Sequence, residues 1–269
     1  MSNAVSIKNL NFDYDSKKIF SNLNLDIHSG EFVSLIGPNG SGKSTLVKIL
    51  AGLLDYQGEI YINDLLLNQS NIKEIRKSIG VILSNIDSQF TSEKVFDNIA
   101  FSLVNQGINR TEIINSVDDI ASKLNITYLL NKNISEINNK EKALINLASV
   151  LIYKPQILIL DEAFNNLDKV ERDNILTILK NLNKVEKLTI INVTQNMEDI
   201  LFGNMILILN DGEIAGYDVN DKIFDNSKIF SKLGLYLPFM VDLSIKLKYY
   251  NLIDRIIYDM EEMVDVLWK

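Results

Sequence analysis

Residues 37–45 read Gly-Pro-Asn-Gly-Ser-Gly-Lys-Ser-Thr, a glycine-rich loop of the pattern G-x-x-x-x-G-K-[ST]. It follows an apolar, β-rich run, Phe32 to Ile36, and opens a helical run, Lys43 to Leu54. No other feature restricts the fold as much. Such a loop works on a strand–turn–helix frame, where glycines let successive backbone N–H groups curl round an anion and the helix adds its N-terminal dipole. The matching ligand is a nucleoside triphosphate. Asn39, Gly40, Ser41, Gly42, Lys43, Ser44 and Thr45 would form the cradle, with Lys43 reaching the β- and γ-phosphates and the Ser44 hydroxyl ligating Mg²⁺. The plain alternative is a glycine-rich turn, which the strand-helix setting disfavours.

A second segment points the same way. Ile157-Leu158-Ile159-Leu160-Asp161-Glu162 is an apolar strand ending in two carboxylates. At the carboxyl edge of a sheet, Asp161 would organise Mg²⁺, and Glu162 would polarise a water for in-line attack on the γ-phosphate, acting as general base. Alone, the run also reads as a strand leading into an acidic helix cap. Beside the loop at 37–45 the catalytic reading takes precedence.

Around these motifs, strands are expected at Val5 to Tyr14, Leu23 to Ile27 and Glu59 to Ile62, separated by Ser29-Gly30 and Gln57-Gly58. From Lys94 to Tyr153 the apolar spacing turns helical. Strands return at Leu188 to Val193, Met205 to Leu209 and Glu213 to Tyr217, with a helix over Val170 to Leu182, and this alternation predicts a mainly parallel α/β sheet. After Asp218 come short amphipathic helices ending in Asp259 to Trp268. No internal repeat is visible.

Composition removes several function classes. With 46% hydrophobic residues in 269, the chain can build a large core. The absence of cysteine excludes a disulfide framework, a thiolate metal site and a cysteine nucleophile. A net charge of −8, from 27 basic and 35 acidic residues, disfavours a nucleic-acid face, so no nucleic-acid partner is expected. The first residues show no basic stretch followed by an apolar run, so no signal peptide is expected. Apolar runs such as Met205 to Leu209 fall far short of the roughly 20 residues of a membrane span. The single histidine, His28, is expected at the surface.

The loop at 37–45, the Asp161-Glu162 pair and the helical stretch between them resemble the ATP-binding-cassette (ABC) superfamily over most of the chain. That resemblance implies a P-loop ABC-ATPase fold in three parts. Residues 1–86 and 154–218 would form a RecA-like nucleotide-binding core with an antiparallel β subdomain, 87–153 a helical subdomain, and 219–269 a helical C-terminal extension. Phe12-Asp13-Tyr14 resembles the A-loop, which implies that the Tyr14 ring stacks on adenine; a cross-strand aromatic is the alternative. Leu167-Asp168 resembles the end of the D-loop, and Leu209 to Ile214 the hairpin closing the core. More narrowly, Asn85-Ile86-Asp87-Ser88-Gln89-Phe90 is similar to the Asn-Pro-Asp-Asn-Gln-Phe stretch of energy-coupling-factor transporter ATPases, which power uptake of vitamins and transition-metal ions. Leu233-Gly234-Leu235, Leu237-Pro238-Phe239 and Met263 to Trp268 are similar to the C-terminal extension of one of that family's two ATPases, where it contributes to dimerisation.

Three positions depart from the family pattern. The signature Leu-Ser-Gly-Gly-Gln aligns with Ile137-Asn138-Asn139-Lys140-Glu141. By resemblance, Asn138, Asn139 and Lys140 would face the γ-phosphate held by a partner subunit, with Asn138 as helix cap and Lys140 adding positive charge, but without the close approach that glycine allows. Ser84 stands at the Q-loop glutamine, where its hydroxyl would reach Mg²⁺ through water. Gln195 stands at the switch histidine, able to donate to a phosphate but not to titrate. The resemblance implies a heterodimer with a second cassette ATPase, an energy-coupling-factor transmembrane component and a substrate-binding membrane subunit, on the cytoplasmic face of the membrane. The alternative is a nucleotide-binding structural subunit paired with an active paralogue.

Overall fold

A computed structural model describes residues 2–15, 17–85 and 87–268. Ile86, within the stretch similar to Asn-Pro-Asp-Asn-Gln-Phe, lies outside the described residues, as does Lys269 after the C-terminal segment.

The N-terminal part forms a four-stranded antiparallel sheet ordered β2-β1-β4-β5, from β1 (Asn3–Tyr14), β2 (Lys17–His28), β4 (Gln57–Ile62) and β5 (Leu65–Leu66). Val5 opposite Ile27 and Ile7 opposite Leu25 are all buried, the alternation expected of a sheet covered on one face. His28 ends β2 half-buried, its Nδ1 2.8 Å from Asn3 Oδ1, rather than fully at the surface.

The second sheet has six strands in the order β10-β9-β3-β8-β7-β6. These are β10 (Glu213–Val219), β9 (Met205–Asn210), β3 (Phe32–Ile36), β8 (Thr189–Val193), β7 (Ile157–Asp161) and β6 (Ile79–Ile82). The strands from β9 to β6 run parallel, and β10 closes one edge antiparallel. Every residue of β3, β7 and β8 is buried, and all but Ser34, Asp161, Thr189 and Asn192 are apolar, as expected of strands covered on both faces. Their alternate side chains feed two cores. Phe32, Leu158 and Leu160 face the helical side, while Val33, Leu35, Ile157 and Ile159 face the antiparallel sheet.

The register sets three strand ends level: Leu35 pairs with Val193, and Val193 with Asp161. The loop of residues 37–42, Gln195 and Glu162 therefore leave the same carboxyl edge from three adjacent strands. β6 and the helix α2 (Ile72–Ser78) before it were not anticipated; four residues of β6 are too few for periodicity to separate strand from helix.

The expected helix over Lys43 to Leu54 is shorter, α1 (Lys43–Leu50). Gly52 at φ 64° allows a Schellman end, in which the Leu53 amide donates to Lys48 O and the Gly52 amide to Ile49 O, both at 2.9 Å. Helices α3 (Val95–Asn105), α4 (Arg110–Lys123) and α5 (Asn139–Leu151) fill the stretch before β7, and α6 (Lys169–Glu186) joins β7 to β8. Val117, Ile145 and Leu147 are buried on the helical side of the sheet. After β10 follow α7 (Asn220–Asp225), α8 (Lys228–Lys232), α9 (Phe239–Tyr249) and α10 (Met260–Leu267). Phe224, Phe230 and Val241 pack on Ile206 and Ile208, which docks this tail on the sheet. Among the described residues no helix is long and apolar enough to cross a membrane.

Candidate functional site

The cradle is built by backbone conformations that side chains resist. Gly40 lies at φ 80° and Gly42 at φ 106°, both in the left-handed region. A Cβ at Gly42 would also come within 2.9 Å of the Phe20 ring, so the start of α1 approaches β2 more closely than any other residue permits. Ser41 is buried beneath the loop, and the Leu46 amide closes the first helical turn on Gly42 O at 2.8 Å.

Lys43 is 6% exposed and folds back over its own loop, donating from Nζ to Gly37 O at 2.8 Å and Pro38 O at 3.0 Å. These are neutral acceptors for a cation, and a phosphate oxygen is the stronger partner. Burial pushes the ammonium below the ordinary lysine range, opposed by the charges of Glu162 and Asp161. A polyanion would relieve that cost.

Ser44 Oγ donates to Asp161 Oδ1 at 3.0 Å, joining the start of α1 to the end of β7. Burial, the main cause, and the neighbouring Glu162 raise the Asp161 carboxyl above the usual range, while the Ser44 donor opposes them. Two oxygen donors, one hydroxyl and one carboxylate, suit a hard divalent cation whose other ligands are phosphate and water. Among the described residues no cluster of three histidine or acidic groups offers a cage of protein ligands alone.

Glu162 follows at φ 53°, half-buried, its amide extending the ladder to Val193 O at 3.0 Å. Gln195 Nε2 donates to Glu162 Oε1 at 2.6 Å, and Asn165 Nδ2 to Oε2 at 2.9 Å. Sequence reasoning named Gln195 as a phosphate donor but missed both its bond to Glu162 and the role of Asn165. It also missed the support of the Gln195 loop, where Asp199 accepts from Thr194 Oγ1 at 2.8 Å and from Arg172 Nε at 2.9 Å. Arg172 lies on α6, which no local pattern joins to this loop.

These groups border a cleft of about 390 Å³ that brings together Tyr14, Asn39, Gly40, Lys43, Ser44, Thr45 and Glu162. Tyr14 ends β1, 41% exposed, its ring edge-on to Phe12 at 4.8 Å, so a face remains for a flat base. Asp161 joins through Ser44 and Gln195 through Glu162.

Ser84, exposed after β6, does not line the cleft, nor do Asn138, Asn139 and Lys140 at the start of α5. Asn138 caps α5, accepting from the Glu141 amide at 2.9 Å. A larger cavity, about 810 Å³, opens at the amino ends of β7 and β8 beside Gln156 and Thr189. The smaller cleft is the functional one, because open α/β sheets bind ligands at the carboxyl ends of their strands and the convergent polar groups lie there.

Comparison with known proteins agrees. The ABC transporter family matches residues 20–165. The energy-coupling factor transporter ATP-binding protein EcfA1 of Oenococcus oeni is 34% identical, covering 98% of this chain and 97% of its own. That of Enterococcus faecalis is 32% identical, covering 100% and 98%. Among solved structures, cbiO1 from Clostridium perfringens, part of the ABC transporter complex cbiONQ, superposes with a TM-score of 0.79 at 26% identity, covering 90% of this chain and 99% of that one. A dimeric ATP-binding cassette in a post-hydrolysis state with ADP and Pi superposes at 0.71 and 25% identity, covering 80% and 98%. With a family match over more than half its length and full-length relatives above 30% identity, the chain belongs to the ABC transporter ATPases, among the energy-coupling factor ATP-binding proteins.

Proposed function

We propose that this ATPase is one of two unlike ATP-binding subunits of an energy-coupling-factor importer, driving uptake of a vitamin or metal ion through membrane partners. The observation that carries the catalytic part is the convergence of Lys43, Ser44, Asp161 and Glu162, tied by the 3.0 Å Ser44–Asp161 bond, at one sheet edge. In this reading Tyr14 stacks on adenine, and the loop N–H groups and Lys43 hold the phosphates. Glu162 takes the proton of a water whose oxygen attacks the γ-phosphorus while the bond to the bridging oxygen breaks, giving ADP and phosphate. Ser44 and Asp161 would hold Mg²⁺, which supplies charge neutralisation on the phosphates; Ser84 would contact it only through water.

A second ATPase is proposed because the start of α5 lacks the glycine pair of an ABC signature. Two copies of this chain would set Asn138, Asn139 and Lys140 against both nucleotides. The membrane partners proposed are a transmembrane coupling component and a substrate-binding subunit, which place this chain at the cytoplasmic membrane face as a peripheral subunit. The relatives' names, energy-coupling factor transporter ATP-binding proteins, support that assembly.

The closure of α5 by its own side chains favours a second reading, a nucleotide-binding structural subunit beside an active paralogue. One preparation separates the two. Tagged at this chain and purified from native membranes, the complex should contain a second cassette ATPase and a polytopic membrane protein, and Glu162→Gln should slow its ATP turnover. Unchanged turnover supports the structural role, and no membrane partner contradicts both.

A further inference from the structure

Each oxygen of the Glu162 carboxylate accepts one amide N–H, one from Gln195 at the switch position and one from Asn165 at the start of the turn that ends in Leu167-Asp168. Gln195 supplies the bond to Oε1 at 2.6 Å, and Asn165 supplies the bond to Oε2 at 2.9 Å. We propose that Asn165 is a positioning residue for ATP hydrolysis: together with Gln195 it clamps the Glu162 carboxylate from both sides in the orientation from which it takes the water proton. The inference rests on the reading of Glu162 as general base.

The loop is built to hold Asn165 in place. Phe164 and Leu167 are 4% and 5% exposed, buried in the core on the helical side of the sheet. The Leu167 amide donates to Phe164 O at 3.1 Å, and Asp168 caps α6 by accepting from the Glu171 amide at 2.8 Å. Asn165 thus sits exposed on a turn whose neighbours are anchored, three residues from its acceptor, with a side chain of only two torsions. The other jaw is anchored independently through Thr194, Asp199 and Arg172.

Glu162 needs such a clamp. Its backbone is fixed by the bond to Val193 O, but a glutamate side chain has three torsions whose freedom must be given up to hold the carboxylate in one orientation. A carboxylate offers roughly two acceptor sites per oxygen, so one amide on each orients the group and leaves it a site for water. Neither amide titrates, so the clamp does not compete for the proton that Glu162 must receive.

The test uses the tagged complex of the full chain, with ATP affinity measured separately from single-turnover hydrolysis. Asn165→Ala should lower the hydrolysis rate on the order of tenfold, the equivalent of one hydrogen bond to a charged group, with ATP affinity within about twofold. Asn165→Asp keeps the shape of the side chain but sets a second carboxylate against Glu162, and should be slower still. In a Glu162→Gln background neither change should slow turnover further. The proposal is overturned if Asn165→Ala hydrolyses like wild type, if affinity falls as far as rate, or if the loss persists undiminished with Glu162→Gln. Wild-type turnover by Glu162→Gln itself would remove the general-base reading and this proposal together, whereas slow Glu162→Gln beside unimpaired Asn165→Ala removes this proposal alone.

Discussion

Asn138 and Glu141 close the first turn of α5 on each other: Asn138 Oδ1 accepts from the Glu141 amide and Glu141 Oε2 from the Asn138 amide, both at 2.9 Å. The Tyr128 hydroxyl donates to the second carboxylate oxygen at 3.1 Å. A negative group therefore lies across the helix start that would meet a partner's γ-phosphate, competing for the same N–H donors and dipole. Glu141→Gln keeps the reciprocal shape and removes the charge. In complexes whose own Glu162 is disabled, so that only the site using this helix turns over, it should raise the rate roughly two- to fivefold, the equivalent of one charge at a helix end. An unchanged or lower rate would show that this turn does not meet the phosphate.

Asp161 links stability to pH. Its carboxyl is raised by burial, so the folded chain keeps the proton to a higher pH than the unfolded chain does. The group adds stability below its unfolded value of 3.8 and loses that contribution as pH rises through the folded value, leaving a buried charge as a cost at neutral pH. Asp161→Asn should therefore raise the melting temperature of the nucleotide-free chain at pH 7, by roughly 2–4 °C per kcal/mol recovered, with the gain fading towards pH 4. The same change should weaken Mg-ATP binding. A fall in melting temperature at pH 7 would contradict the desolvation account.

The loop after β6 carries Asp87 and Phe90 of the stretch similar to that of energy-coupling-factor transporter ATPases, and we propose it as the contact with the membrane component. Asp87 there pairs with Lys142 of α5 at 2.8 Å. Asp87→Lys and Phe90→Ala should each release the membrane partner in pull-downs while leaving ATP affinity within about twofold. Lys142→Gln breaks the same ion pair, worth about 0.2–1 kcal/mol at an exposed site, and should leave the complex intact. A complex that survives both loop changes with full transport would place the coupling surface elsewhere.

In the proposed heterodimer the two composite sites should be unequal. The one built on Lys43, Ser44, Asp161 and Glu162 borrows the partner's signature, and its own departure is Gln195, which still donates. The other must use the self-capped turn at Asn138. Loss of one preorganised donor costs a rate factor on the order of 100 to 1000, and the self-capped turn withholds several. Glu162→Gln should therefore slow ATP turnover and transport more than the matching change in the partner; the reverse order would invert the ranking.

Much of this site was legible because its chemistry is local. The loop at 37–45 and the Ile157 to Glu162 run are continuous segments, and the buried strands carrying them announce themselves as apolar runs. The Asp199–Arg172 pair was not legible, because it joins α6 to the loop after β8, segments that meet only in the fold; Asn165, though three residues from Glu162, acts through a side-chain turn that no periodicity marks. β6 is too short to show periodicity, and the early end of α1 rests on a left-handed Gly52 that the apolar Leu53-Leu54 masks in the sequence. The start of α5 was half legible: Asn138 read as a cap, but its reciprocal partner Glu141 did not.

The central claim, that this chain binds ATP through the loop at 37–45, is tested most directly by titrating Mg-ATP calorimetrically into the full chain and its Lys43→Ala variant. The wild type should bind one nucleotide per chain, and the variant, lacking the cation now held at 2.8 Å by Gly37 O, should show no measurable binding in the same range while keeping its fold. Equal affinity in the two proteins would contradict the account.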